Sequence, residues 1–443
     1  MIGTGIFIVP ANMARSTGSV ELVILAWVAG GLLTLFGALS AAELSAAIPE
    51  AGGTYAYMNQ AYGPAWGFLF GWMYSILGAP TSIATISAGL LLFGQFLIPA
   101  LGTPIFALHF LLWPGGRPYD FTFTWAQPLA VLAILSVSGI NYLGVRLGGR
   151  IQILLTAVKV AAVLTVIAIA LLFGRGSIAN FHISQATAAS AGGLSGFLTA
   201  MVAALWAYDG WANITYVGSE VENPERNIPI SLLGGVLLVC GIYIAMTAAC
   251  FFVLPFGQAA ASAHIASDAI ARATGRNAAT WMTIVMIVSA LGALNSCILT
   301  DARVDYAMAR QGLFFRPVKN VHPRFRTPGG ALTFQAIVAS LLALTGTFQD
   351  LYSLFIFAAW IFYGLQTMAV IWLRVKKPDL RRPYRTWGYP FVPIVFVIGA
   401  LALTINLWIE RPLRSSIGMA LILSGLFFYV HWRKRLRAAG LPT

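Results

Sequence analysis

The chain has 443 residues, of which 59% are hydrophobic and only 9% are charged. Soluble domains carry about 25% charged residues, so this composition excludes an ordinary soluble protein. The net charge of +13 would suit a nucleic-acid-binding protein, but long apolar segments that recur from end to end indicate a polytopic helical membrane protein. Because Lys and Arg collect in the cytoplasmic loops of such proteins, the positive charge needs no nucleic-acid partner, and we predict none.

The apolar segments predict eleven full membrane spans, each long enough to cross about 30 Å as a helix. A further short apolar piece covers residues 1–12. In chain order the predicted spans are 22–48, 65–99, 127–145, 149–173, 195–219, 229–255, 279–311, 331–348, 351–374, 389–408 and 414–432. The loops are short and contain Pro and Gly. We therefore predict an all-α membrane core over 1–374, followed by two additional transmembrane helices and a short basic tail over 375–443.

Glycines interrupt the apolar pattern at two matching places, "GTGIF" at Gly3–Phe7 and "AYDGW" at Ala207–Trp211. The membrane interior tolerates broken backbone only where it is buried in protein or lines a cavity. Four complete spans follow each break, so each break opens a five-helix unit, over about 1–173 and 195–374. An odd number of helices gives the two units opposite orientations. The pattern therefore predicts an inverted repeat with a ligand site at the breaks.

The two breaks offer opposite partial charges. A helix that begins after Gly5 presents unpaired N–H groups at its positive end, which suit a carboxylate. A helix that ends before the second break presents free carbonyl groups at its negative end, which suit an ammonium group. A small molecule with both charges close together is an α-amino acid, so we predict an amino-acid site. The alternative is two local kinks without a site.

Ionisable side chains inside the spans are few, and such groups are functional candidates because their burial is costly. Lys159 and Asp209 lie in the middle of spans, whereas Asp301 and Asp305 lie towards the end of one. Glu43 also ends a span, and we predict that it anchors its helix there rather than relaying protons. The chain has no HExxH, GxSxG or P-loop motif, so we predict no enzyme, no catalytic residue, no cofactor and no metal site.

The distribution of basic residues predicts the orientation. If the loop after span 22–48 is cytoplasmic, 19 of the 27 Lys and Arg residues lie on the cytoplasmic side and 7 on the other, while Lys159 lies within the membrane. This strong bias predicts a multi-pass plasma-membrane protein, of the bacterial inner-membrane type, with a cytoplasmic C-terminus. The basic stretch "RVKKPDLRRPYR" at 374–385 is then predicted to contact membrane lipid headgroups.

Several stretches together resemble a known family. They are "GTGIF", "ALSAAELSAAIPEAGGTYAYMNQAYG", the lysine in "TAVKV", "LWAYDGWANITYVGSEVENPERNIP" and "ALNSCILTDARVDYAMARQGLFF". They resemble the amino acid–polyamine–organocation superfamily, and within it the L-type amino-acid transporters and their bacterial relatives. The resemblance covers nearly the whole chain. It implies a LeuT-like five-plus-five inverted repeat with two extra helices, and amino-acid transport by alternating access, often as obligatory exchange.

The resemblance also assigns roles by position. Gly3, Thr4 and Gly5 would bind the substrate carboxylate. Carbonyl groups near Met1, Ile2 and Trp206 would bind its amino group. Trp206 would replace an aromatic gate, and neighbouring aromatic residues such as Trp211 could stack over the substrate. The full set of predicted substrate-binding residues is Ile2, Gly3, Thr4, Gly5, Trp206, Ala207, Tyr208, Asp209 and Gly210.

Lys159 would stand where sodium-coupled relatives hold an ion, and would tether the broken first helix to its neighbours. This implies sodium-independent exchange. Two alternatives remain open, a proton-coupled amino-acid symporter in which Asp209 or Lys159 titrates, and an amino-acid sensor that binds without transporting.

The cysteines and the N-terminus give two further expectations. Eukaryotic L-type members join a glycoprotein partner through an extracellular cysteine, and the loop around 117–124 has none, so we expect no disulfide-linked partner. The chain's cysteines, Cys240, Cys250 and Cys297, all lie in apolar runs, where small buried residues are ordinary. The resemblance puts "MIGTGIF" in the middle of a broken helix. We therefore expect the first helix to be truncated, with its cytoplasmic half upstream of Met1.

Overall fold

The computed structural model describes residues 1–50, 52–110, 119–174, 176–181, 193–345 and 348–438. In chain order the α-helices are α1 Gly5–Thr17, α2 Val20–Ala47, α3 Thr54–Tyr62, α4 Pro64–Met73, α5 Ala79–Leu97, α6 Ala126–Leu143, α7 Val145–Leu172, α8 Gly193–Tyr208, α9 Asn213–Tyr216, α10 Pro224–Val253, α11 Phe256–Ala261, α12 Ile265–Thr274, α13 Arg276–Arg310, α14 Gly329–Thr345, α15 Phe348–Lys376, α16 Phe391–Glu410 and α17 Pro412–Ala438. A π-helical segment joins α4 to α5, and short 3-10 segments cover Pro99–Gly102, Ile178–Phe181, Gly218–Glu220 and Arg316–Lys319.

The predicted spans all correspond to helices. Within the described ranges, nine helical segments are long and apolar enough to cross a membrane, and α8 and α14 are shorter apolar helices at the two remaining predicted spans. Most ends differ from the prediction by a few residues. The exception is span 195–219, because α8 stops at Tyr208 and the chain turns through Gly210, whose φ of 89° is left-handed. Glycine adopts this conformation without the steric cost that a side chain would add.

A short β-hairpin corrects the prediction that all regular structure is helical. Its strands, β1 Pro104–Phe110 and β2 Tyr119–Thr124, pair antiparallel with Phe106 opposite Phe123. Those two rings stack with their centroids 5.0 Å apart. The stretch "YDFTFT" alternates aromatic residues with Asp and Thr, a period of two that favours a strand over a helix.

The first two helices meet at a sharp corner that local chemistry explains. α1 ends at Thr17, and the N–H of the following Gly18 donates to the carbonyl oxygen of Ala14 at 2.9 Å. The left-handed φ of 72° at Gly18 then turns the chain away from the helix axis. Ser19 then caps α2, because its hydroxyl accepts the N–H of Leu22 at 3.3 Å. The left-handed glycine and the serine cap satisfy backbone groups that helix ends leave unpaired.

The two interrupted helices lie at the centre of the bundle. α1 packs against α8, and α2 packs against both α8 and α10. On the other side, α5 and α7 pack against α13. The breaks are therefore enclosed by helices from both halves of the chain, which is the setting that broken backbone requires in a membrane.

Glu43 anchors the end of α2, as predicted. Its carboxylate lies 2.6 Å from Nη2 of Arg374 and 3.5 Å from Nε of Arg382. It also accepts the backbone N–H of Thr386 at 2.6 Å. A buried carboxylate is tolerated when it is paired in this way. Fewer arginines of 374–385 are therefore available to lipid headgroups than predicted, since Arg374 and Arg382 pair with Glu43 and Arg381 pairs with Glu225.

Candidate functional site

Both helix breaks line one cavity of about 320 Å³. This volume lies at the lower end of the range for small-molecule sites, about 300–1,000 Å³. Of the residues predicted from sequence, the cavity is lined by Ile2, Gly3, Thr4, Gly5, Lys159, Trp206, Ala207, Asp209 and Gly210. Tyr208 is the one predicted site residue that is absent from the described lining of this cavity.

The first break presents the positive end of a helix to the cavity. α1 begins at Gly5, and among the described residues no side chain caps its first turn. The first N–H groups of an α-helix have no partner within the helix. The N–H of Phe7 donates to the carbonyl oxygen of Thr4 at 3.2 Å, so the groups before it are the ones that a ligand can use. The hydroxyl of Thr4 is buried without a hydrogen-bond partner in the described part of the chain. The break thus offers both backbone and side-chain hydrogen-bonding groups.

The second break presents the negative end of α8. The helix ends at Tyr208, and the N–H of Asp209 donates to the carbonyl oxygen of Trp206 at 3.1 Å. A carbonyl oxygen has two lone pairs, so this oxygen can accept a second hydrogen bond. Carbonyl groups at a helix C-terminus carry partial negative charge and attract cations.

The two breaks touch each other. A Cβ atom added to Gly5 would lie 2.9 Å from both Cα and Cβ of Ala207. The hydroxyl of Tyr243, on α10, lies 2.9 Å from the carbonyl oxygen of Met1 and 3.0 Å from that of Ala207. Its single proton can be donated to either oxygen. Tyr243 therefore joins the two breaks, and no local sequence pattern indicates this role.

Lys159 brings a cation to the cavity from α7. Its side chain is 5% exposed, and its Nζ lies 3.5 Å from the position that a Cβ on Gly292 of α13 would occupy. It is the only Lys or Arg among the described residues that line the cavity. A Cβ at Gly292 would lie only 2.8 Å from Cβ of Leu155 on α7, so the glycine permits the close approach of α7 and α13 beside the lysine.

Asp209 is held by α15. One of its carboxylate oxygens accepts the hydroxyl proton of Tyr363 at 3.0 Å. The Tyr363 ring also packs against Trp211, with the ring centroids 5.3 Å apart. Trp211 is 5% exposed and is absent from the described lining of the cavity. These contacts orient Asp209 through a neighbouring helix.

Trp206 and Tyr208 point in different directions although they are two residues apart. Trp206 lines the cavity, and its ring meets Phe355 edge-on at 5.4 Å. Tyr208 is fully buried against Trp27 of α2, and its hydroxyl donates to the Trp27 carbonyl oxygen at 3.0 Å. Successive residues turn by about 100° around an α-helix, so residues two apart face nearly opposite sides. Tyr208 thus joins α8 to α2 outside the cavity.

Several polar residues of the lining were missed from sequence. They are Ser82, Gln152, Thr156, Asn213, Ser296 and Cys297. The spacing on α7 carried a usable signal, because Gln152, Thr156 and Lys159 recur four and three residues apart and so share one helix face. Asn213 is positioned by α13, since its Nδ2 donates to Oδ1 of Asp301 at 3.2 Å.

A family comparison identifies the protein class. The sequence profile described as "Amino acid permease" matches residues 1–430. The chain belongs to the amino acid permease family. It is therefore a multi-pass membrane protein that transports amino acids, and not an enzyme. Membership of this family, part of the amino acid–polyamine–organocation superfamily, implies a LeuT-like fold.

Named relatives cover nearly the whole permease. It is 31% identical over 438 residues to the serine/threonine exchanger SteT of Bacillus subtilis. This alignment covers 98% of the permease and 94% of SteT. It is 33% identical over 444 residues to the human b(0,+)-type amino acid transporter 1, and the alignment covers 98% of the permease and 85% of that transporter. It is 28% identical over 442 residues to the human cystine/glutamate transporter, and the alignment covers 99% of the permease and 84% of that transporter.

Cys297 provides a chemical probe of the cavity. Its side chain lines the cavity, whereas Cys250 is fully buried elsewhere. We expect a polar methanethiosulfonate reagent to modify Cys297 and a transported amino acid to slow that reaction. At ten times the substrate Kd about nine-tenths of the sites are occupied, so the rate should fall about tenfold.

The Cys297→Ser variant is the control, because any labelling that it retains comes from another cysteine. Mass spectrometry of the labelled peptide would identify the site. Equal labelling rates with and without substrate would contradict a substrate position beside Cys297.

Proposed function

We propose that this permease is a sodium-independent amino-acid exchanger that works by alternating access. The observation that carries the proposal is the single cavity lined by both helix breaks and by Lys159. One end of the cavity wall supplies N–H groups and the other supplies carbonyl groups. An α-amino acid matches this arrangement, because its ammonium group and its carboxylate are both bonded to the same carbon atom.

In this proposal the substrate carboxylate binds at the start of α1, to backbone N–H groups at Gly3, Thr4 and Gly5. The Thr4 hydroxyl, which has no hydrogen-bond partner among the described residues, is a further donor beside them. The helix dipole adds a favourable interaction of about 0.3–1 kcal/mol at exposed sites and up to about 2 kcal/mol in partly buried geometries. Since the N–H groups are fixed by the helix, they need no rearrangement when the carboxylate arrives.

The substrate ammonium group binds the opposite wall. Its acceptors are carbonyl oxygens at Ile2 and Trp206, while the Ala207 carbonyl contacts Tyr243. Asp209 and Gly210 complete this wall of the cavity. The Trp206 ring, in contact with Phe355 of α15, acts as the aromatic gate on one side.

The proposed architecture for alternating access is an inverted repeat. Its first unit is 1–173, from the first break through α7, and its second is 195–374, from α8 through α15. The final two helices, α16 and α17, lie in 375–443 and are additional. Support comes from the position of a break at the start of each unit and from the contact between Gly5 and Ala207.

Lys159 makes sodium unnecessary in this proposal. Its ammonium group supplies a fixed positive charge beside the first break, where a bound sodium ion would otherwise supply one. The serine/threonine exchanger SteT is named as an exchanger, which supports exchange as the mode of transport. Its name and those of the other relatives also define which substrates to test first: serine, threonine, cystine and glutamate.

The test is exchange in proteoliposomes made from the purified permease. Vesicles are preloaded with each of the twenty amino acids in turn, and uptake of labelled serine, threonine, cystine or glutamate is measured in sodium or choline buffer. We expect uptake only when a suitable amino acid is inside, and equal rates in the two buffers. Uptake into empty vesicles, or a requirement for sodium, would contradict the proposal.

A proton-coupled symporter is the second candidate, because Asp209 lines the cavity. Exchange predicts that Asp209→Asn keeps both its rate and its pH profile, since an amide oxygen can still accept the Tyr363 hydroxyl. Symport predicts that the variant keeps exchange but loses net uptake driven by a pH gradient. Wild-type and variant vesicles are compared with and without that gradient, and loss of pH-driven uptake in the variant would favour symport.

The orientation in the membrane follows from the charge distribution. We assign the face with 19 Lys and Arg residues to the cytoplasm, so that the basic C-terminus is cytoplasmic in a plasma membrane, as in bacterial inner-membrane proteins.

All three cysteines lie in α10 and α13, which supports a permease that works without a disulfide-linked glycoprotein partner.

A further inference from the structure

A basic pocket of about 770 Å³ lies where the ends of α13 and α17 meet. Its cations come from the end of α13, the 3-10 segment that follows it and the end of α17, and they are Arg310, Arg316, Lys319, Arg433 and Arg435. Among the described residues that line it, there is no Asp or Glu. Like charges gathered in one pocket repel each other, so this arrangement favours an anionic ligand.

The cations of this pocket differ from the other basic cluster on the same face. There Arg374 and Arg382 are neutralised by Glu43. Within the part of the chain that the structure describes, the five pocket cations form no such pair, and the Nε of Arg433 is buried without a hydrogen-bond partner. A bound anion would supply the hydrogen-bond acceptor that this buried donor lacks.

An apolar groove of about 710 Å³ adjoins the basic pocket, and Phe315 lines both. The groove follows α14 from Gly329 to Ile337, a rise of about 12 Å at 1.5 Å per residue. Ile337 is 54% exposed, and Leu341, one turn further along α14, is 59% exposed. The exposed apolar surface therefore continues from the pocket along a membrane helix.

We propose that an anionic phospholipid binds here, with its phosphate in the basic pocket and an acyl chain along the groove on α14. Arginine pairs with phosphate through two parallel hydrogen bonds, which suits Arg316 and Arg433. Trp432 also lines the pocket, and tryptophan is common at the headgroup level of membranes. A soluble phosphate would use the pocket but would leave the groove empty.

The test measures lipid binding to the delipidated permease by native mass spectrometry and thermal unfolding. Three additives are compared: phosphatidylglycerol, phosphatidylcholine with the same acyl chains, and inorganic phosphate at the same concentration. The double variant Arg316→Gln/Arg433→Gln removes two pocket cations. The control, Arg381→Gln/Arg385→Gln, removes the same charge from the loop between α15 and α16, on the same face by the alternation of spans.

We expect one phosphatidylglycerol molecule to remain bound and to raise the Tm more than either other additive. The pocket variant should bind it about tenfold or more weakly, and the control variant should bind it like the wild type. Equal stabilisation by phosphatidylcholine, or equal losses in both variants, would overturn the proposal. A Tm rise reproduced in full by inorganic phosphate would also overturn it, because the ligand would then be a free anion.

Discussion

Replacing Gly5 with alanine should strongly reduce amino-acid exchange while the permease still inserts in the membrane. The new Cβ would lie 2.9 Å from Cα and Cβ of Ala207, so α1 and α8 would have to separate. Overpacking of this kind costs about 1–3 kcal/mol, which corresponds to a loss of about 5- to 150-fold in binding or rate. Exchange rates in proteoliposomes, normalised to folded protein, give the measurement.

Gly241→Ala is the matched control, because a Cβ at Gly241 of α10 meets no atom within 4 Å among the described residues. It should exchange like the wild type. Adding Ala207→Gly to Gly5→Ala removes one of the two close contacts and should restore part of the rate. Wild-type exchange by Gly5→Ala alone would show that the contact between the breaks is unimportant.

Replacing Lys159 with alanine should leave a folded permease with little exchange. Lys159 supplies the only Lys or Arg side chain among the described residues of the cavity wall. During transport we expect its ammonium group to bind carbonyl groups of the first break. A hydrogen bond to a charged group contributes about 1.5–3 kcal/mol, so its loss should slow exchange about 10- to 150-fold.

Lys159→Met separates charge from volume, since methionine is also long and unbranched. Both variants should lose exchange to a similar extent, and size-exclusion chromatography should report the same folded species for each. Full activity in Lys159→Met would contradict a role for the charge. A sodium requirement in the wild type would contradict the proposal that this lysine replaces the ion.

The membrane helices could be predicted because the signal is local. A run of apolar residues about 20 long favours a spanning helix wherever it lies in the chain. The break at Gly210 could also be predicted, because glycine weakens a helix, and the structure gives Gly210 a left-handed φ of 89°. The close approach of Gly5 to Ala207 depends on how α1 and α8 pack, and they are separated by about two hundred residues, so no local pattern could indicate it.

Other features of the structure could not be predicted from the sequence, for physical reasons that can be named. The aromatic side chain of Tyr208, beside the second break, favours a place in the site, but helix geometry turns it towards Trp27. Tyr243 lies in an ordinary apolar span, and only the folded chain brings its hydroxyl to both breaks. The stretch around 117–124 is a loop in the sequence prediction but contains strand Tyr119–Thr124, which its alternation of residues favours.

The most direct test of the central claim asks whether the cavity recognises both charges of an amino acid. Uptake of the labelled amino acid with the fastest exchange is measured in the presence of one of three unlabelled competitors. They are the same amino acid, the amine that lacks its carboxylate and the acid that lacks its amino group. We predict that only the intact amino acid inhibits well, and that each analogue is at least about tenfold weaker, because each leaves one helix end without its charged partner. Inhibition by either analogue as strong as that by the intact amino acid would contradict a site built from both breaks.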